Sequence, residues 1–171
     1  MDTTTTIDAK AYREGMRKLA GAVTIITTDG KKGRGGFTAT AVCSVSDTPP
    51  TLLVCVNETN DQHDTLLENG QFAVNVLREQ QDWLSNRFAG FDGTKGEERF
   101  QAGEWQEHAQ GVPYLKDGLV SFICQVKEVT KMATHSVVFG EVIGVVGSDH
   151  EEGLLYFNAG YRTLKVPTET H

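Results

Sequence analysis

Hydrophobic positions along most of the chain alternate with a period of two, which is typical of β-strands. Strands are predicted at seven segments rich in apolar and β-branched residues: 22–30, 33–47, 49–57, 72–77, 119–129, 135–147 and 154–162. Turn signals, rather than crossover helices, separate most of these segments. The pattern therefore predicts a mainly β fold with peripheral helices, an antiparallel barrel or sandwich.

A period of 3.6 residues appears in three other segments and predicts helices there. They cover residues 8–20, 61–70 and 79–90, and a shorter helix is expected at 97–100 inside a glycine-rich loop. In the first helix Asp8 is the predicted N-cap and Gly21 the predicted end. Tyr12, Met16 and Leu19 fall on one apolar face.

The strand predicted at residues 33–47 has an unusual composition, because hydroxyl side chains occupy nearly every second position. One face carries the small apolar residues Phe37, Ala39, Ala41, Cys43 and Val45, and this is the expected core face. The other face carries Thr38, Thr40, Val42, Ser44 and Ser46. This hydroxyl row is either a solvated sheet face or, together with Asn57 and Asn75, a polar cradle for a planar heterocycle or a phosphate.

Composition and charge limit the possible partners. The chain has 171 residues, and we expect a disordered lead-in at 1–7 and a single domain at 8–171. The formal net charge of −7 argues against a nucleic-acid partner, and no segment has the roughly 20 apolar residues of a membrane span. Three separated cysteines without a signal peptide indicate a cytoplasmic location.

The sequence lacks the familiar catalytic and metal-binding motifs. The glycine-rich segment at 30–36 precedes no predicted helix, so it does not support a dinucleotide-binding α/β domain. No HxxxH, HExxH or GxSxG pattern occurs, and we therefore predict neither a metal site nor a serine-hydrolase site. Among the histidines, His63 is expected to be exposed on its helix, whereas His135 begins a strand.

The segment GFTATAVCSVSDTPPTLLVCVN, residues 36–57, resembles the signature of the flavin reductase-like family. These are the small NAD(P)H:flavin reductases of two-component monooxygenases, including those that serve 4-hydroxyphenylacetate hydroxylation and pyrimidine degradation. The resemblance continues in the same order through AVTIITTDG, FAVNVL, LSNRFAG, EERF, LVSFICQV, THSVVF and GLLYFNAGYR, nearly the whole chain after Ile7.

The resemblance implies a split β-barrel of the Greek-key FMN-binding type, working as a homodimer. It implies hydride transfer from NADH or NADPH to free FMN or FAD, with the reduced flavin passed to a separate oxygenase. Two alternatives remain open at this point. One is a flavoprotein that keeps its flavin and acts on another substrate, and the other is a non-catalytic flavin- or haem-binding module.

The resemblance also implies the site residues. Flavin contacts are expected along the hydroxyl-bearing strand and the strand after it, at Thr38, Ala39, Thr40, Ala41, Ser44, Cys55, Val56 and Asn57. Further contacts to the two ligands are expected at Arg87, Phe88, Ala89, Tyr161 and Arg162, with His135 on the nicotinamide side as the catalytic candidate. Two departures from the family pattern occur. Asn60 and Gln62 stand where many relatives have hydroxyls for the flavin phosphate, and Ala133-Thr134 stands where many have Gly-Asp.

Overall fold

The computed structural model describes residues 6–167, so residues 1–5 of the predicted lead-in lie outside it. Its helices are α1 (Ala9–Met16), α2 (His63–Asn69), α3 (Asp82–Phe88) and a 3-10 helix (Gly96–Gln101). Its strands are β1 (Gly21–Ala22), β2 (Thr24–Thr28), β3 (Gly35–Ala39), β4 (Val42–Asp47), β5 (Pro50–Asn57), β6 (Gln71–Val76), β7 (Trp105–Glu107), β8 (Pro113–Leu115), β9 (Val120–Met132), β10 (His135–Gly147), β11 (Gly153–Phe157) and β12 (Gly160–Leu164). Within this range no helix is long and apolar enough to cross a membrane.

The main sheet has seven antiparallel strands in the order β3-β2-β6-β9-β10-β5-β4. Its two edge strands, β3 and β4, follow each other in the chain and are separated only by Thr40 and Ala41. The chain therefore passes from one edge of the sheet to the other within two residues, which brings the edges together and closes the sheet into a barrel. We call Thr40–Ala41 the seam.

The seam corrects the prediction of one continuous strand at residues 33–47. Beyond it Val42 packs against the barrel core, whereas Cys43 and Val45 are exposed, opposite to the predicted faces. The reason is that β3 takes its register from β2, while β4 takes its register from β5. The two seam residues belong to neither ladder, so the alternation of faces restarts at Val42.

The barrel interior is filled by aliphatic and aromatic side chains from its strands and from α2. The fully buried members include Ile26, Val54, Val56, Leu66, Phe72, Val74 and Val138. A second cluster lies under α3, and a third lies on the outer face of β6 and β9 beneath the hairpin of β7 and β8. The first strand of that hairpin lies in the glycine-rich segment predicted as a loop, where the expected short helix occurs but the strand was missed.

Helix α1 begins at Asp8 as predicted, because the Asp8 carboxylate accepts a bond of 3.1 Å from the amide of Lys10. It ends at Met16 rather than at Gly21, since the amides of Lys18 and Leu19 bond carbonyls three residues back and tighten the chain out of the α-helix. Its apolar face is uncovered, with Tyr12, Met16 and Leu19 exposed by 61%, 46% and 68%.

Candidate active site

A cavity of about 960 Å³ opens beside the seam, at the upper end of the usual size of small-molecule sites. Thr40, Ala41 and Ser44 form one of its walls, and α1 contributes Arg13, Met16 and Arg17 to another. Its floor is the apolar barrel interior, including Val74, Val76, Phe122 and Val142. The cavity therefore combines an apolar floor with hydroxyls and two cations at its rim.

The hydroxyls near the seam differ in the hydrogen bonds that they can still form with a ligand. The Thr38 hydroxyl donates to the backbone carbonyl of Ser85 at 2.6 Å, so it can only accept a further bond. Within residues 6–167 the hydroxyls of Thr40 and Ser44 have no hydrogen-bond partner, and both residues are exposed. They remain free to donate to a carbonyl or ring nitrogen of a ligand.

Buried Ser85 connects two of the predicted site residues, Thr38 and Tyr161. The Tyr161 hydroxyl lies 2.9 Å from Ser85 Oγ and 2.8 Å from Asn86 Oδ1, while Thr38 bonds the Ser85 carbonyl. The C-terminal hairpin and β3 are thus fixed on the same helix, α3. The sequence offered no signal for Ser85, because a serine in an amphipathic helix is usually solvated.

Strand β5 connects the seam to His135. The Cys55 amide donates to the Ala41 carbonyl at 3.0 Å, and Val56 and Asn57 pair with Ser136 and His135 of β10. Pairing with β4 ends at Val54, so in the described range no strand covers the same edge of β5 at Asn57. On this edge the Asn57 carbonyl already accepts a bond of 2.9 Å from the Asn60 amide, so the Asn57 backbone N–H is the group available to a ligand, about 7 Å along the strand from Cys55.

His135 is exposed at the start of β10, and its Nδ1 lies 2.9 Å from Thr134 Oγ1. It follows the two-residue turn Ala133–Thr134, in which Ala133 has a φ of 52°. Glycine adopts this left-handed conformation without steric cost, whereas the Cβ of alanine makes it less favourable. The Ala133 backbone nevertheless takes the conformation of a tight hairpin.

Asn60 and Gln62 build the turn that leads into α2. The Asn60 carboxamide accepts a bond of 2.9 Å from the Gln62 amide, and the Gln62 side chain donates to Asp61. Gln62 is only 7% exposed and its Oε1 lies against Gly35, where a Cβ would approach it to 1.9 Å. Both side chains therefore already have partners inside the protein.

The segment 87–89 has a similar internal role. The Arg87 guanidinium donates to the carbonyls of Arg99 and Glu98 and to the carboxylate of Asp92. Phe88 is 1% exposed and belongs to the core under α3. Ala89 is exposed, so contacts from this segment to a ligand can come from Ala89 and from backbone atoms without rearrangement.

Sequence reasoning missed the buried Arg99, which is 4% exposed. Its guanidinium donates to the Gly36 carbonyl at 2.7 Å and to the Asp61 carboxylate at 3.2 Å. It therefore ties β3 to the turn before α2, two segments that carry predicted ligand residues. Arg162 is exposed and donates to the Tyr161 carbonyl.

Asn75 and His63 do not lie where the sequence predicted them. Asn75 is fully buried on the outer face of β6, where its carboxamide bonds Ile25, Thr27, Leu115 and Ser121, so its inclusion in the polar cradle is wrong. His63 was expected to be exposed but is buried, with both ring nitrogens hydrogen-bonded.

Neither Cys124 nor a cluster of metal-ligating side chains provides a reactive group among the described residues. Burial raises the pKa of the Cys124 thiol to about 12, so this thiol stays protonated and unreactive at neutral pH. Among residues 6–167, no group of three or more histidine, cysteine or acidic side chains could hold a metal ion.

Comparison with known proteins identifies the family. The model of the flavin reductase like domain matches residues 16–165. The FMN reductase (NADH) RutF of Pantoea ananatis is 46% identical over 158 residues, which cover 92% of this chain and 82% of that protein.

Solved structures agree with this match. BorF, the flavin reductase component of a bacterial two-component tryptophan halogenase, superimposes with a TM-score of 0.86 at 28% identity, covering 94% of this chain and all of that chain. Flavin reductase PheA2 gives 0.84 at 31% identity, again covering 94% of this chain and 100% of that chain. The matches confirm the predicted split barrel, the predicted NAD(P)H:flavin oxidoreductase, and a flavin and a nicotinamide nucleotide as its ligands. The chain therefore belongs to the flavin reductase-like family.

Proposed function

We propose that the protein transfers hydride from NADH to free FMN at the seam of the barrel and releases the reduced flavin to a separate oxygenase. The observation that carries the proposal is the position of the unbonded Thr40 hydroxyl at the seam, next to where the open edge of β5 begins beyond Cys55, with the unbonded Ser44 hydroxyl further along the same cavity wall. The choice of NADH and FMN rests on the name of the RutF relative.

The residues present fit a flavin at this position. Small side chains at Ala39 and Ala41 allow a flat ring to approach the backbone closely. Thr40 and Ser44 would donate to its carbonyls and ring nitrogens, and Thr38 would accept from a ring N–H because its own proton is already used. Asn57 offers its backbone N–H at the far end of the same edge.

His135 is proposed to hold the nicotinamide side. It stands directly opposite Asn57 in the β5–β10 ladder, so both ligands would meet over this strand pair. When flavin and nicotinamide rings are stacked about 3–3.5 Å apart, hydride passes between them with little acid–base assistance. Orientation is thus the main contribution of the chain.

The remaining residues near the site differ in whether they already have hydrogen-bond partners within the protein. Arg87 has internal acceptors, whereas Arg13 and Arg17 line the cavity without an ion pair in the described part of the chain. Arg87 stays a prediction that requires its bond to Asp92 to open. Tyr161, anchored on α3, is proposed to close the site from the C-terminal hairpin.

We also propose that the protein is a homodimer that uses the uncovered face of α1. Tyr12 and Met16 on α1 and Leu19 just after it are large apolar side chains exposed together, which is unusual for a free surface. Sedimentation equilibrium should give twice the chain mass, and Leu19→Glu should shift the equilibrium toward monomer. A monomeric wild-type protein at micromolar concentration would exclude this arrangement.

The decisive test is anaerobic oxidation of NADH and NADPH, each with FMN, FAD and riboflavin. The highest kcat/KM is expected with NADH and FMN. The paired substitution Thr38→Val and Thr40→Val should raise the KM for FMN by about three- to tenfold for each hydroxyl that contacts it. Thr163→Val on β12 is the matched control, since Thr163 is exposed and outside the cavity lining.

His135→Ala should raise the KM for NADH more than the KM for FMN.

Unchanged flavin kinetics in the threonine variants would place the flavin elsewhere. Flavin that stays bound through dialysis would favour the permanent flavoprotein, and absence of NADH oxidation with every flavin would favour the non-catalytic module.

Transfer of reduced flavin to an oxygenase is tested by coupling the reductase to a two-component oxygenase lacking its own reductase. A cytoplasmic location stays a prediction.

A further inference from the structure

Helix α2 carries a buried histidine whose two ring nitrogens are both bonded. His63 Nδ1 lies 2.8 Å from the carboxylate of Asp64, and His63 Nε2 lies 2.9 Å from the hydroxyl oxygen of Ser136. His63 is 9% exposed and Ser136 is 3% exposed. A buried polar pair joining residues that are 73 positions apart in the chain restrains both of its segments.

The chemistry of Asp64 sets the direction of these bonds. An ionised carboxylate only accepts hydrogen bonds, so Nδ1 carries the ring proton of the neutral imidazole. Nε2 is then an acceptor, and the Ser136 hydroxyl donates to it. A single tautomer therefore satisfies all three groups.

The hydrogen-bond distances that join Ser136, His63 and Asp64 match those of a nucleophile–base–acid triad, but the three residues do not form a hydrolytic site. A serine nucleophile must be reached by a carbonyl group, and Ser136 is buried beneath α2. Ser136, His63 and His135 all lie outside the lining of the cavity beside the seam, so it is burial, and not distance from the cavity, that excludes Ser136 as a nucleophile. The bond between His63 and Ser136 therefore serves to position β10.

The end of the β9–β10 hairpin explains why such positioning is needed. Every residue from Lys127 to His135 is exposed, so this part of the hairpin extends beyond the core. Ser136 is the first buried residue of β10, and it immediately follows His135. The backbone bond from Glu58 to Thr134 and the ion pair of Lys131 with Glu58 are surface contacts of the same region.

We propose that His63 is a positioning residue for the nicotinamide side: by accepting the hydrogen bond of Ser136, it fixes the first residues of β10 and with them the side chain of His135. The inference rests on the proposed function, because it takes His135 as the residue that contacts the nicotinamide. Since α2 follows the turn that carries Asn60 and Gln62, the same bond also holds the flavin and nicotinamide segments in one arrangement.

The test uses His63→Leu, His63→Gln and Ser136→Ala in the full chain, each with and without His135→Ala. His63→Leu and Ser136→Ala should raise the KM for NADH about tenfold and leave the KM for FMN within about twofold. His63→Gln keeps an acceptor near the Nε2 position and should recover most of the loss. In the His135→Ala background, loss of the His63–Ser136 bond should not change the KM for NADH further. The bond acts only through the His135 imidazole, which that background lacks.

His150→Gln is the matched control, since His150 bonds Asp117 at 2.9 Å in an exposed pair of the same kind. It should leave both KM values unchanged. Effects of His63→Leu that multiply with those of His135→Ala, or that raise both KM values equally, would overturn the inference while leaving the proposed function intact. A wild-type protein that does not oxidise NADH with any flavin would overturn both. Ser136→Ala keeps the test valid if His63→Leu does not fold.

Discussion

Asn75 gives the sharpest test of whether the outer face of β6 is structural. Its neighbours in the strand, Val74 and Val76, line the cavity, so alternation directs Asn75 to the opposite face. There it accepts bonds of 2.8 Å from the Leu115 amide and from the Ser121 hydroxyl. Replacing Asn75 by leucine conserves approximate volume but removes every one of these bonds.

The expected cost follows from the groups left behind. Two buried donors, the Leu115 amide and the Ser121 hydroxyl, lose their acceptor, and each costs about 1–3 kcal/mol when water cannot replace it. We expect Asn75→Leu to lower the free energy of unfolding by about 4 kcal/mol, within limits of roughly 2 and 6. For a domain of this size that lowers the Tm by roughly 8–16 °C.

The assay is thermal or urea unfolding at fixed protein concentration, because association of two chains would make the Tm depend on concentration. Ser121→Ala is the partial control, since it removes one of the donors and should cost about 1 kcal/mol. The double variant should cost less than the sum of the two single variants, because both remove the same bond. The KM for FMN should remain at the wild-type value below the Tm.

Two results would refute this reasoning. If Asn75→Leu unfolds at the wild-type temperature, the carboxamide has no structural role. If its KM for FMN rises many-fold without loss of stability, Asn75 contacts the ligand, as the sequence pattern suggested, and the face assignment of β6 is incorrect.

Three further predictions follow from individual residues. Asn158 and Ala159 form the β11–β12 turn with φ of 50° and 59°, a geometry that favours Asn-Gly, so Ala159→Gly should raise the free energy of unfolding by about 0.5–1 kcal/mol in urea titrations. Cys43, which is exposed, should react with a thiol reagent in the native protein long before Cys124, whose pKa is raised by burial; equal rates would place Cys43 in the core. Asp117 has a pKa lowered by hydrogen bonds from an arginine and a histidine, so its stabilisation is present above pH of about 4 and lost as pH falls through the lower folded pKa. Asp117→Asn should therefore unfold more easily than wild type near neutral pH, and this difference should shrink in strong acid.

The sequence predicted the elements whose signals are local. Alternation and turn residues identified the main strands, and the order of motifs identified the family. The seam could not be found this way, because residues 38–46 are small or β-branched on both faces and the alternation looks unbroken across Thr40 and Ala41. Only the pairing of β3 with β2 and of β4 with β5 divides this segment.

Buried polar residues were missed for a related reason. Nothing near His63 or Arg99 in the sequence indicates burial, since their partners come from distant segments such as Ser136 and Gly36. A histidine in a short helix and an arginine beside two glutamates are usually solvated. Long-range partners decide such positions, and a local pattern does not contain them.

The seam links the architecture to the chemistry. A barrel must bring its last two edges together, and here the chain does so in two residues, beside which Gly21 lies so close that a Cβ would meet the Thr40 side chain at 3.3 Å. Because β4 starts only at Val42, β5 is uncovered beyond Cys55 on that side. The small side chains that allow closure therefore also leave hydroxyls and a backbone edge open to a flat ligand. Substituting Ala41 by valine should consequently affect both properties, weakening flavin binding and barrel stability together, whereas Thr40→Val should affect the KM for FMN alone.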